Sequence, residues 1–121
     1  MSYYDAVAHA KLQLPEGAEV VKFSAAVGFQ ASNYDFLLLM PCEAIGDFAT
    51  ANGLTTPRRS DPFTEFGYLQ QVREMHGWLR HAGPLLKARG TGGTYERSLG
   101  VPAQEVQRGG SCNVVHVGLQ D

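Results

Sequence analysis

The chain has 121 residues and 13.1 kDa, the size of one domain and long enough to bury about two thirds of its extended surface on folding. Apolar residues make up 44% and charged residues 18%, with a net charge of −2 and a pI near 6.0; this excludes disorder as the main state and removes any general electrostatic reason to bind nucleic acid. No apolar run reaches the roughly 18 residues of a membrane span, since the longest, Phe36-Leu37-Leu38-Leu39-Met40, is strand-sized.

Residues 3–12 are Ala-rich and predict two or three helical turns, broken by Leu14-Pro15-Glu16-Gly17. Val20 to Phe29 predicts a strand, with Val21, Phe23 and Ala25 on one face and Lys22 and Ser24 on the other. Gln30 to Asn33 is a polar turn. Tyr34 to Met40 is a second strand whose lack of alternation predicts a central place covered on both faces. The two strands are expected to form an antiparallel hairpin. Pro41 suits the first turn of a helix, Glu43 complements the positive helix start, and Ile45, Phe48 and Ala49 recur at helical spacing until Asn52-Gly53 caps the end. A short helix over 42–52 should therefore pack on the hairpin.

Thr55 to Arg59 reads as a loop. Asp61 and Pro62 form a helix start, and Phe66, Leu69, Val72, Met75, Leu79 and Ala82 keep the spacing of a buried stripe, so a helix is expected over 62–82. Gly77-Trp78 marks a bend or break in it, because glycine costs about 1 kcal/mol against alanine in a helix. Residues 85–94 end in the flexible loop Arg-Gly-Thr-Gly-Gly-Thr. Tyr95 to Val101 and Asn113 to Leu119 predict a closing hairpin joined by Pro102 to Gly110. The expectation is one α+β domain over 1–121, with a mainly antiparallel sheet built from two hairpins and two helices packed on one face.

Leu14-Pro15-Glu16-Gly17-Ala18-Glu19-Val20-Val21, followed by Leu39-Met40-Pro41-Cys42-Glu43-Ala44-Ile45-Gly46-Asp47-Phe48 and Asn52-Gly53-Leu54, resembles the front half of small uncharacterised actinobacterial α+β domains, many of them predicted lipoproteins. The resemblance covers roughly residues 12–54, implies an architecture, and carries no catalytic residue. The opening Met-Ser-Tyr-Tyr-Asp lacks the basic and apolar regions of a secretory signal. The chain as it stands is therefore expected to be cytoplasmic, and exported or lipid-anchored if its N-terminus was trimmed.

Charge is uneven along the chain. Residues 1–57 carry Lys11 and Lys22 against six acids, whereas 58–121 hold eight bases and six acids. Tyr3, Tyr4, Trp78, Arg58 and Arg59 are residue types enriched in interface hot spots and the basic back half can steer a complementary partner, so Arg58, Arg59, Trp78, Arg80, Lys87 and Arg89 form the expected partner-binding set. Cys42 and Cys112 are expected to be reduced and partly buried. If bridged, they would close a loop of about 71 residues, worth roughly 4 kcal/mol. Cys42 at a helix start is also a candidate reactive thiol, with His76 or His116 as its base.

The chain carries no metal motif. His76 and His81 are five apart and do not share a helical face, so no metal and no cofactor are expected. Lys87 to Thr94 is a glycine-rich candidate for phosphate, but its lysine precedes the glycines, unlike a P-loop. The leading expectation is a non-enzymatic domain that binds a protein partner, an immunity-type inhibitor being one concrete form. The alternative is a small ligand-binding protein or enzyme with a pocket between the sheet and the 62–82 helix, using Cys42, Tyr68 and His76. A bridge between the cysteines would favour an exported envelope domain. The sequence sets no oligomeric state.

Overall fold

The computed structural model describes residues 2–29, 32–59, 76–79, 83–92 and 95–120. Helix α1 (Tyr3–His9) starts where the Ser2 hydroxyl accepts the Asp5 N–H, and Asp5 and His9 sit at the ends that the helix dipole favours. Strands β1 (Glu19–Val27) and β2 (Ser32–Pro41) form the expected antiparallel hairpin. A 3-10 turn (Cys42–Ala44) leads into α2 (Ile45–Ala51). Then follow β3 (Arg58–Arg59), β4 (Leu85–Gly92), β5 (Tyr95–Pro102), α3 (Ala103–Arg108) and β6 (Ser111–Gln120). The strands make one antiparallel sheet in the order β1-β2-β6-β5-β4-β3. The α+β class with a mainly antiparallel sheet is as the sequence predicts.

Strand β2 is flanked by β1 and β6, and Tyr34 to Leu38 are all buried, which is why its sequence does not alternate. Phe36, Leu38 and Met40 face one way and join Leu99, Val101 and Val114 beneath Ala6 of α1, Ala10 at its C-cap, and Ile45, Phe48 and Ala49 of α2. Leu37 and Val115 face the other way and pack with Leu85, Leu79 and the half-buried Trp78. Removing a side chain such as Phe48 from water contributes about 1.5–3 kcal/mol.

Two polar anchors set how the first helix meets this core. The Asn52 side chain accepts from the Gln13 N–H (2.9 Å) and donates to the carbonyls of Gln13 (2.9 Å) and Phe48 (2.8 Å). Arg97 of β5 donates to Asn52 Oδ1 (3.0 Å) and to the carbonyls of Ala10 (2.6 Å) and Lys11 (3.3 Å). A cation thus closes the C-terminal end of α1, where Lys11 turns left-handed (φ 53°).

Several local expectations are corrected. Val20 pairs with Leu38 and Lys22 with Leu37, so a bulge inserts Val21 as an extra residue. Val20 therefore joins Phe23 and Ala25 against the core while Val21 is exposed. Pro41 both ends β2 and stands as the N-cap of the helical region expected over 42–52, whose first turn is 3-10 (Cys42–Ala44). The loop expected over 55–59 contains the two-residue strand β3, and the flexible loop expected over 89–94 is part of strand β4 as far as Gly92, with 93–94 outside the described residues. The missed signal in β4 is the alternation Leu86-Lys87-Ala88-Arg89, with Leu86 and Ala88 on the packed side. The Pro102–Gly110 connection contains α3. Of the helix expected over 62–82, His76 to Leu79 form a turn with left-handed His76 (φ 54°) and Gly77 (φ 71°), matching the predicted break; residues 62–75 and 80–82 lie outside the described residues.

Gly90 shows why β4 keeps its glycines. A Cβ there would fall on the Gly53 carbonyl and sit 3.2 Å from the Leu54 Cα, so only glycine lets the α2 exit cross the strand. The chain continues this contact through the Thr55 N–H to the Arg89 carbonyl (2.8 Å). Because both obstacles are backbone, Gly90→Ala is expected to cost about 2–3 kcal/mol in urea unfolding. A loss below about 0.5 kcal/mol would mean that the crossing is loose.

Candidate functional site

Three places in the fold gather chemistry-bearing side chains. The first lies on the sheet face away from α1 and α2. Asp35 points there from β2, next to Ser24 of β1 and Val117 of β6 in the ladder, and it is only 6% exposed. The His76 Nε2–H donates to Asp35 Oδ2, which leaves Nδ1 as the imidazole's other proton site. Trp78 lies beside that ring, with centroids 5.0 Å apart. Burial raises the Asp35 carboxyl above its ordinary value, while His76 and a backbone hydrogen bond from Gly118 pull the other way. Asp35 Oδ1 has no hydrogen-bond partner among the described residues. A buried carboxylate holding a half-exposed imidazole can fix its tautomer and accept a proton through it.

The second place is the rim of the sheet at β3 and β4. Pairing sets Arg58 opposite Lys87 and Arg59 opposite Leu86, with Arg89 two residues further along β4. By strand alternation Arg58, Lys87 and Arg89 share one face. Arg58, Arg59 and Arg89 are exposed and Lys87 is half-buried. Four of the six expected partner-binding residues thus converge on one edge, although Arg58 and Arg89 are far apart in the chain. Trp78 packs against the cluster of Leu37, Leu79, Leu85 and Val115, and Arg80 lies outside the described residues.

The third place is the Cys42–Cys112 disulfide, with Cα atoms 5.1 Å apart. It corrects the expectation of two reduced thiols and removes the reactive-thiol reading of Cys42. The pairing follows from register: Cys112 sits opposite Met40, and Cys42 begins the turn two residues later. An open groove of about 460 Å³ beside it is lined by Cys42, Glu43, Val106, Gly109 and Gly110.

The expected pocket set is therefore not assembled as a unit. Cys42 is bridged beside α3, His76 pairs with Asp35 on the far face, and Tyr68 lies outside the described residues. Nor can His116 serve Cys42 as a base, because it is buried (1% exposed) between Phe36 and Phe48. Burial, reinforced by the Arg97 charge, pushes it down to about 3. Of the glycine-rich candidate for phosphate, the described part is strand, and Gly93 and Thr94 lie outside the described residues. Gly90, Thr91 and Gly92 pair in the ladder with Arg97, Glu96 and Tyr95. Among the described residues no three His, Cys, Asp or Glu side chains converge to hold a metal ion, and no helix is long and apolar enough to cross a membrane. Sequence reading missed Asp35, which carries no local signal and is identified only by the strand that buries it.

Comparison with protein-family models, curated proteins and solved structures gives no match for this chain.

Proposed function

We propose that this domain works by binding a protein, and that it presents the β3–β4 rim to an acidic surface of its partner. The observation that carries this reading is the convergence of Arg58, Arg59, Lys87 and Arg89 through strand pairing. Positive charge gathered on one edge of the sheet complements an anionic surface and steers encounter with it. Inhibition by occlusion, as in an immunity-type inhibitor, is one use of such a rim. The Cys42–Cys112 bridge supports an oxidising compartment for it, in keeping with the resemblance to predicted lipoproteins.

Site-specific photo-crosslinking in the producing cell tests the rim. A crosslinker at Arg59 should capture one protein that a crosslinker at Gln107, exposed on α3, does not. The double variant Arg58→Glu, Arg89→Glu should lower that capture at least tenfold. Equal capture from both positions, or capture indifferent to charge reversal, rejects the reading.

A second reading is favoured by one observation, the Asp35–His76 pair beside Trp78. It makes this face a small-ligand or reaction site, as in the alternative expected from sequence. Ligand fragments bound there would move the His76 ring and Trp78 indole proton resonances together, and Asp35→Asn would abolish the response. A broad fragment screen that leaves both resonances still discards it.

A further inference from the structure

We propose that two copies of this chain pair through β1, antiparallel, about a two-fold axis normal to the sheet at Ser24. The two edges of the sheet differ sharply. At β3 the edge is, among the described residues, two residues long and both arginine, and the 53–55 segment lies against β4 beside it; short, charged and covered edges resist strand addition. At β1 the edge is nine residues long, and among the described residues nothing pairs with its outer side. It also holds exposed apolar side chains: Val21 is 50% exposed, Val27 64%, and Phe29 just beyond it fully so. A long apolar edge of this kind is a template for another strand.

The pattern of β1 selects a second copy as that strand. Val21 and Val27 lie three residues either side of Ser24. Antiparallel pairing about Ser24 sets each Phe23 opposite the other copy's Ala25 and brings each Val27 to the Val20–Val21 bulge of the other copy. Apolar meets apolar, and the one large side chain meets a small one. On the opposite face each Lys22 meets an Ala26, so the like charges are offset instead of directly opposed. The 22/26 and 23/25 pairs differ by an even number inside the unbulged part of β1, so these rows keep their faces across the axis, as a closed two-fold interface requires. The regular ladder from Lys22 to Val27 carries most of this register, and the Val21 bulge lies at its margin. The proposal is independent of the β3–β4 rim, at the other end of the sheet.

Light scattering over a concentration series should show a mass rising from that of one chain to that of two. Val27→Lys should shift the midpoint at least tenfold upward in concentration. Oxidative crosslinking resolves the register without relying on that variant. Ser24→Cys, placed on the axis, should form a covalent dimer. Lys22→Cys alone should not, while a mixture of Lys22→Cys and Ala26→Cys chains should. A one-chain mass throughout, the result also expected if β1 accepts a strand from a different protein, overturns the proposal. So does a dimer that Ser24→Cys crosslinks no faster than Lys22→Cys.

Discussion

Removing the Cys42–Cys112 bridge is expected to lower the unfolding free energy by about 4 kcal/mol. The bridge spans a sequence separation of 70, so in the chain-entropy description its main action is on the unfolded chain, which it prevents from expanding. The native structure loses little when it is cut. Met40 remains opposite Cys112 in the β2–β6 ladder, and Leu38, Val114 and Val101 still hold the surrounding core. The double variant Cys42→Ala, Cys112→Ala should therefore keep the sheet and unfold at a lower urea concentration. Its denaturant slope should be steeper, because its unfolded form exposes more surface. A loss below about 1 kcal/mol would show that the unfolded chain is already compact around this pair. Cys112 is wholly buried but Cys42 is only half-buried beside the groove, so reductant should reach the bridge from the Cys42 side, and labelling of the released Cys112 thiol without denaturant should be slow.

The second large effect is a loss of stability in acid, through His116. Its ring is enclosed by Phe36 and Phe48, and neither nitrogen has a hydrogen-bond partner among the described residues. Burial first, and then the Arg97 charge, hold it down to about 3 in the folded state, against an ordinary value of 6.5. Below pH 6.5 the unfolded chain takes up this proton and the folded chain does not. Stability is thus fully present above 6.5 and falls as the pH is lowered towards 3, by about 5 kcal/mol over the window. Asp35 works in the opposite sense. Its raised carboxyl keeps a proton in the folded state at pH values where the unfolded chain has lost it, so its contribution is lost as pH rises. Urea unfolding at pH 7, 5.5 and 4 measures the sum, and His116→Phe isolates the histidine. That variant replaces two unsatisfied nitrogens with carbon in an aromatic site, so it should be within about 1–2 kcal/mol of the parent at pH 7 and much less sensitive to acid. Parallel pH profiles for parent and variant would assign the acid loss elsewhere.

Periodicity and turn chemistry made the local elements legible. The unbroken run Phe36 to Met40 announces a strand covered on both faces, and it lies between β1 and β6 with core on either side. The Asn52-Gly53 pair announces the end of α2, and Asn52 indeed closes it through the Phe48 carbonyl. The front hairpin and the last two strands follow from the same kind of signal, because side chains a few residues apart share a face.

What the tertiary structure alone decided are the meetings between distant segments. Cys42 reaches Cys112 because β2 and β6 are neighbours, and Arg58 reaches Lys87 because β3 adds to β4. Asp35 and His116 carry no mark in the chain that separates them from surface residues. Their unusual protonation comes from what the sheet packs around them. Composition and spacing encode which side chains share a face, since that depends on bond geometry within one element. Register, strand order and burial depend on the summed packing of the whole domain, and no short window of sequence contains that sum.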